Sequence, residues 1–203
     1  MSRFTGPRVK VMRALGTELP GLSRKKIERR PYPPGQHGQA RKKLSEYALR
    51  LIEKQKVKMN YGITESYLRK LVVESKRSKG ATGHKLVELL ERRLDNVVFR
   101  AGFARTIPAA RQLVNHGHVL VNGKRVDIAS YRVGRESLIS IREKSKTLQV
   151  IEQGAVVAQE IQTPWLEVDR EAKTARVTTL PDETAIPFAI NLQRVVEFYS
   201  LQL

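Results

Sequence analysis

The sequence predicts an α+β protein, and three observations predict it. Apolar residues recur at helical spacing between Leu44 and Gly102 and again from Asn191 to Ser200; a helix-turn-helix-like pair runs into an Asn-Gly hairpin between Arg93 and Val126; and short β-rich runs follow that hairpin. A basic segment broken by glycine and proline precedes them all.

In chain order, residues 1–43 combine Gly6-Pro7, Pro20-Gly21, Pro31, Pro33-Pro34-Gly35 and Gly38 with runs of Lys and Arg. Such a composition interrupts helices and is expected to bury little apolar area, so this segment reads as an extension that is largely mobile alone and orders on a polyanion. From Leu44 the pattern turns helical. Ser45 can cap a helix with Ala48, Leu51 and Ile52 on its apolar stripe, ending near Tyr61-Gly62. Thr64 can cap the next, with Leu68, Leu71 and Val72 inward. After the polar stretch Ser75 to Gly83, one continuous helix is expected through Leu86, Leu89, Leu90, Leu94, Val97 and Val98, stopping near Gly102. Thr106 and Pro108 open another, which Gly117 closes after Ala110, Leu113 and Val114. Val119 to Val121 then lead into Asn122-Gly123, the pair that best tolerates the positive φ angles of a two-residue hairpin, and Arg125-Val126 begin the return. Further on, Leu138, Ile139 and Ile141 read as a strand, Leu148 to Ile161 as a helix, and Trp165 to Val168 with Ala175 to Leu180 as a hairpin. A last helix puts Leu192, Val195, Val196 and Tyr199 on one face.

Charge narrows the class of partner. The chain has 203 residues, 38 Lys and Arg against 20 Asp and Glu, a formal charge of +18 and a pI near 10.5, the footprint of a nucleic-acid binder. The excess is segregated: residues 1–60 hold 16 basic and 4 acidic side chains, residues 93–145 hold 10 and 4, and residues 146–203 hold 5 and 8. The last quarter therefore suits packing or protein contacts better than phosphate. No apolar run approaches the ~18 residues that span a bilayer, and the N-terminus lacks a secretory apolar segment, so no membrane partner is expected. Zero cysteines exclude disulfides and thiolate metal sites.

Catalysis finds little support. Gly80-Ala81-Thr82-Gly83-His84-Lys85 has its glycines too close for a phosphate-binding loop and no Ser or Thr after the lysine. His116 and His118 flank Gly117 without the further ligands a zinc site requires, and serve better as donors to phosphate or ribose. Asp95, Asp127 and Asp169 show no acid–base pairing; Asp95 reads as an ion-pair partner of Arg92 or Arg93. Neither cofactor nor metal is expected.

The run RLDNVVFRAGFARTIPAARQLVNHGHVLVNGKRV resembles the RNA-binding module of the small-subunit ribosomal protein number four (S-four) family, with RLDN in its first helix, ARQLVNHGH across its second and VLVNGKRVDIASY as its hairpin. The opening MSRFTGPRVKVMRALG, the loop PPGQHG (Pro33 to Gly38), EKQKVK (Glu53 to Lys58) and TPWLEVD (Thr163 to Asp169) are similar to the bacterial and plastid form of the same family, so the resemblance runs end to end. The zinc-knuckle variant of that family is excluded by the missing cysteines. The resemblance implies a helical domain with an inserted RNA-binding domain: a basic extension at 1–43, a helical domain at 44–91 with 188–203, and an RNA-binding domain with its β-sheet at 92–187, the module proper at about 93–145. One departure is the turn Gly134-Arg135-Glu136-Ser137, where the module more often has Gly-Asp; no RNA contact is assigned there.

Aromatics make up only 6% of the chain, so stacking on single strands is not expected to dominate; a broad basic surface with short capped helices suits shape recognition of folded RNA. The resemblance implies a non-catalytic constituent of the small ribosomal subunit that binds 16S-type rRNA at a multi-helix junction of the 5′ domain, nucleates assembly and contributes to translational accuracy. Its implied partners are ribosomal protein number five, other small-subunit proteins and mRNA near the entry path, without homo-oligomers, on a bacterial cytoplasmic or plastid stromal ribosome. The alternatives are an RNA-modifying enzyme that docks through the same module, and a regulator that binds mRNA. The candidate RNA contacts are Lys25, Lys26, Arg29, Arg30, Gln36, His37, Arg41, Lys42 and Lys43 in the extension; Arg50, Lys54 and Lys58 on the first helix after it; and Lys85, Arg105, Arg111, Gln112, Asn115, His116, His118, Asn122 and Lys124 on or near the module.

Overall fold

A computed structural model describes residues 4–40, 43–158 and 163–200. Among them lie helices α1 (Arg8–Leu15), α2 (Glu46–Asn60), α3 (Glu65–Arg77), α4 (Thr82–Glu91), α5 (Leu94–Arg100) and α6 (Ile107–Asn115), strands β1 (Val119–Val121), β2 (Lys124–Arg125) and β3 (Leu138–Ile141), helix α7 (Gln149–Ala158), strands β4 (Leu166–Asp169) and β5 (Thr174–Val177), and helix α8 (Leu192–Ser200). The chain is thus α+β, as expected. It divides into two compact units, Met1–Leu86 with Phe188–Leu203, and Val87–Pro187. The division falls within α4, a turn earlier than the 91/92 boundary inferred from the sequence.

In the first unit α8 lies along α2 and also meets α3. Ser45 accepts the Ala48 amide and Thr64 that of Tyr67, so both expected caps form. Arg50 donates to Glu197 at 3.0 Å, and the Tyr199 hydroxyl donates to Glu65 at 2.6 Å, tying α8 to its neighbours by polar contacts around a buried Val195 and Phe198.

Residues 1–43 require a correction. They were expected to bury little apolar area, yet Met12, Leu19 and Leu22 are buried, with Val9, Val11, Leu15, Ile27, Met59 and Phe188 packed against them. Gly16 makes this arrangement reachable: at φ 62 it ends α1 and turns the chain back. Arg13 then donates to the carbonyls of Arg30 and Tyr32 at 3.0 Å each while stacking over the Tyr32 ring, and the Gly21 amide donates to Asn60 at 2.9 Å. In the PPGQHG loop the Gly38 amide donates to Gly35, and a side chain at Gly38 would collide with the Pro33 carbonyl. Arg41 and Lys42 lie outside the described residues.

In the second unit the continuous helix expected through Leu86 and Val98 is broken at Arg92–Arg93 into α4 and α5. The reason is non-local. Arg93 forms a β-bridge with Arg132, and the first amides of α5, on Leu94 and Asp95, donate to Tyr131 and Ala129 at 2.8 and 3.1 Å instead of to the preceding turn. Gly102, at φ 78, follows α5 where the sequence placed the stop. α6 packs against α5, and five antiparallel strands follow in the order β2-β1-β3-β5-β4. Val119, Val121, Ile139, Ile141, Ala175 and Val177 alternate inward along β1, β3 and β5, burying one face of the sheet as a period of two demands. α7 sits against the turn before α6 so closely that a side chain at Gly154 would collide with the backbone of Gly102, Phe103 and Ala104. The expected helix reached Ile161; residues 159–162 are outside those described.

Candidate nucleic-acid interface

The second unit holds its helix pair together with buried charge. Asp95, fully buried, receives Arg93 at 2.9 and 3.1 Å and Arg111 at 2.7 and 3.0 Å, while its Oδ1 also accepts the Asn96 amide. Glu91 accepts from Nε and Nη2 of Arg100 at 2.9 and 2.8 Å and from the Asn96 side-chain amide at 2.9 Å, and Arg100 reaches on to the Ala185 carbonyl. Acidic groups are therefore drawn inward at the junction of α4, α5 and α6. Arg92, one of the two partners foreseen for Asp95, pairs with Glu88 instead.

The exposed charges of the hairpin are Lys124 and Arg125, with Asp127 exposed beyond them. Thr106 caps α6 by accepting the Ala109 amide, as expected, and Gly117 at φ 72 ends it. Gln112, Asn115 and His116 are exposed on its last turns. The Asn122-Gly123 turn, with φ 50 and 78, pairs Val121 directly with Lys124 and leaves Lys124 and Arg125 exposed. The Arg125 guanidinium lies over Gly117 where a Cβ would otherwise stand, and Arg142 donates to the Gly117 carbonyl at 3.4 Å from the end of β3. His118 is half-buried, its Nδ1 2.9 Å from Ser145 Oγ, its ring centre 6.0 Å from that of His116. Burial first, then electrostatic repulsion from His116, Arg142 and Arg125, holds the His118 imidazole below the ordinary 6.5.

The structure sorts the sequence-selected residues. Gln112, Asn115 and His116 are exposed at the end of α6, His118 stands between Gly117 and β1, and Lys124 is exposed next to Arg125, the residue whose guanidinium reaches Gly117. Asn122 belongs to the same hairpin as Lys124, but its Oδ1 accepts the Leu138 amide at 2.8 Å, fixing the turn. Arg105 is exposed at the start of α6 and donates to Gln153 of α7 at 3.2 Å. Arg111 departs from expectation: its guanidinium is held by Asp95 and its side chain is 14% exposed. In the first unit Lys25, Lys26, Arg29, Arg30, Gln36, His37 and Lys43 are exposed, and Lys85 is partly so. Arg50 and Lys58 are partly covered by Glu197 and Glu65. Lys54 is a second departure, since its side chain is 6% exposed, ion-paired with Glu65 at 2.9 Å and 4.9 Å from the centre of the Phe198 ring.

Arg125 is legible in the sequence as part of a basic corner with Arg105, Arg111 and Lys124, whereas Arg142 is not. The signal for Arg142 was the register: Val119 opposite Ile141 brings residue 142 to His118, where its amide donates to the His118 carbonyl at 3.0 Å. Arg69, Lys70, Lys76 and Arg77 are exposed on α3 and form a further basic cluster outside the residues selected from the sequence. Among the described residues no group of His, Asp and Glu could hold a metal ion, and no helix is long and apolar enough to cross a membrane.

Comparison with known proteins accords with this geometry. Residues 3–91 match the family described as Ribosomal protein S4/S9 N-terminal domain, and residues 92–139 match the S4 domain. Relatives named small ribosomal subunit protein uS4 include those of Methylobacillus flagellatus, 51% identical with all of both chains covered, Rippkaea orientalis, 53% identical with 98% of each covered, and Synechocystis, 50% identical over the same share. The chain belongs to the uS4 family of small ribosomal subunit proteins.

Proposed function

We propose that this protein is a structural constituent of the small ribosomal subunit that binds 16S-type rRNA directly, at a multi-helix junction of the 5′ domain, and holds that junction in its assembled shape. The observation that carries the reading is the corner at Gly117, where Arg125 from β2 and Arg142 from the end of β3 reach the end of α6 beside the exposed Asn115 and His116, while Asp95 and Glu91 are buried. Phosphates and 2′-hydroxyls of packed RNA helices suit such a surface, which offers many short-range donors and no stacking platform. The work is done by binding energy; the family is structural, and the protein is not an enzyme.

The exposed basic residues of the extension, Lys25, Lys26, Arg29, Arg30 and Lys43 with Gln36 and His37, supply a second run of contacts, and Arg50, Lys58 and Lys85 a third. Arg111 and Lys54 act behind the surface. Early binding during subunit assembly, a contribution to decoding accuracy, contacts with ribosomal protein number five and with mRNA near its entry path extend the same reading, with the acidic last quarter the side suited to protein neighbours. Relatives from bacteria and cyanobacteria support a bacterial ribosome as the location, with a plastid ribosome the alternative. The test is competition: the folded 5′ domain should retain the protein against excess tRNA, whereas equal displacement by any RNA would reduce it to a generic basic binder.

A further inference from the structure

Four protonatable or cationic groups converge on Gly117 from four places in the second unit. Arg125 comes from β2, Arg142 from the end of β3, His116 from the end of α6 and His118 from the start of β1. The groups that act electrostatically on the His118 ring from these elements all disfavour its protonation, namely His116, Arg142 and Arg125. The short helical turn Glu143–Ser145 packs on the other side and presents the Ser145 hydroxyl; its carboxylate, Glu143, is taken by Lys146 at 2.7 Å, and Lys144 is exposed. Gly117 has no side chain to fill the space that Arg125 crosses, so any other residue there would push the guanidinium away.

We propose that these groups form a seat for a single RNA phosphodiester, and that filling it draws a proton onto His118. The inference rests on the RNA-binding reading above. In the protein alone, burial first and then Arg142 and Arg125 disfavour the protonated ring, whose Nδ1 lies 2.9 Å from Ser145 Oγ. A phosphodiester carries one negative charge. Placed between Arg125 and Arg142, it offsets part of their positive field, and direct contact with the ring favours the imidazolium, which then gives the phosphate an additional charged donor. Proton and phosphate binding are therefore linked, and each raises the affinity of the other by the same factor. RNA affinity should rise as pH falls through the His118 range, approaching about tenfold per pH unit where a whole proton is taken up.

The chain has four histidines, so their ring protons can be followed individually in the full-length protein by NMR, with His116→Asn and His118→Asn used for assignment. The His118 midpoint is measured alone, with inorganic phosphate, and with a folded junction fragment of 5′-domain rRNA, alongside RNA affinity against pH for wild type, His118→Asn and Arg142→Gln. The expected results are an upward shift of the midpoint with phosphate and with RNA, a shallower pH dependence in His118→Asn, and in Arg142→Gln a higher starting midpoint with a smaller response to phosphate. RNA that binds while the His118 midpoint stays still, with the same pH dependence in His118→Asn, would overturn the seat and leave RNA binding intact. A midpoint that answers to inorganic phosphate in a protein that ignores the junction RNA would instead assign the seat to a free anion and overturn the RNA-binding reading.

Discussion

Arg111 offers the sharpest separation of scaffold from surface. Replacing it with Met keeps most of the stem and removes two charge-assisted hydrogen bonds to the fully buried Asp95, at 2.7 and 3.0 Å. Asp95 retains Arg93 and the Asn96 amide, so the loss should be smaller than the ~3–5 kcal/mol of stranding a buried charge altogether, about 2–3 kcal/mol. Asp95→Asn, which leaves two guanidinium groups without their carboxylate, should reach the full range. The sole tryptophan, Trp165, is 3% exposed and lies in the same unit, so its fluorescence reports urea unfolding of that unit directly. RNA affinity measured well below the unfolding midpoint should keep its salt slope in Arg111→Met. In Lys124→Gln, by contrast, the slope should fall by roughly 0.7–0.9, the value of one phosphate contact, with little change in stability. An Arg111→Met protein that is as stable as wild type but has lost one such step in slope would refute the assignment of Arg111 to the scaffold.

Three other outcomes follow from the same geometry. Glu91→Ala leaves Arg100, 1% exposed, without its carboxylate and should lower stability by about 3–5 kcal/mol, read by the same Trp165 signal. Gly154→Ala forces a methyl group into the backbone at Gly102–Ala104 and should destabilise the second unit by about 1–3 kcal/mol, whereas Gln153→Ala, next to it but exposed, should leave stability nearly unchanged. Burial alone would raise the pKa of Glu65, but hydrogen bonds from Tyr199, Lys54 and Lys58 and the charge of Lys54 hold it below 4.5. Its stabilising share is therefore complete above that value and disappears as pH falls through the lower folded-state value, so Glu65→Gln should flatten the acid side of the stability curve of the first unit. An unaltered acid limb would count against that network.

Most of what was legible in the sequence is local chemistry. Ser45, Thr64 and Thr106 cap helices because a hydroxyl at the right position satisfies an amide a few residues on, and Asn122-Gly123 turns because those residues tolerate positive φ; neither depends on the rest of the chain. What was not legible depends on partners distant in sequence. The break at Arg92–Arg93 arises from pairing with residues 129–132, some forty positions later, which periodicity cannot register. Lys54 reads as an outward cation in the helix pattern but is covered by Glu65 and Phe198, and the eight-residue α1 is held by Met59 and Phe188 from elsewhere in its unit. The candidate interface divides in the same way. His116, His118 and Lys124 stand beside turn signals that the sequence displays, whereas Arg142 enters the candidate corner only through strand register and Arg111 leaves it only through a buried carboxylate.

The direct test of junction binding exploits the absence of cysteine. A single cysteine can be introduced at Asp127, exposed two residues beyond Arg125, or at Glu171, exposed between β4 and β5, and each charged with an iron chelate that cleaves nearby RNA. Bound to the folded 5′ domain of 16S-type rRNA, the Asp127→Cys probe is predicted to cut strongly at several strands that converge on one junction, with weaker or different cuts from Glu171→Cys. Cuts scattered evenly along the RNA, alike for both probes and for tRNA, would contradict it.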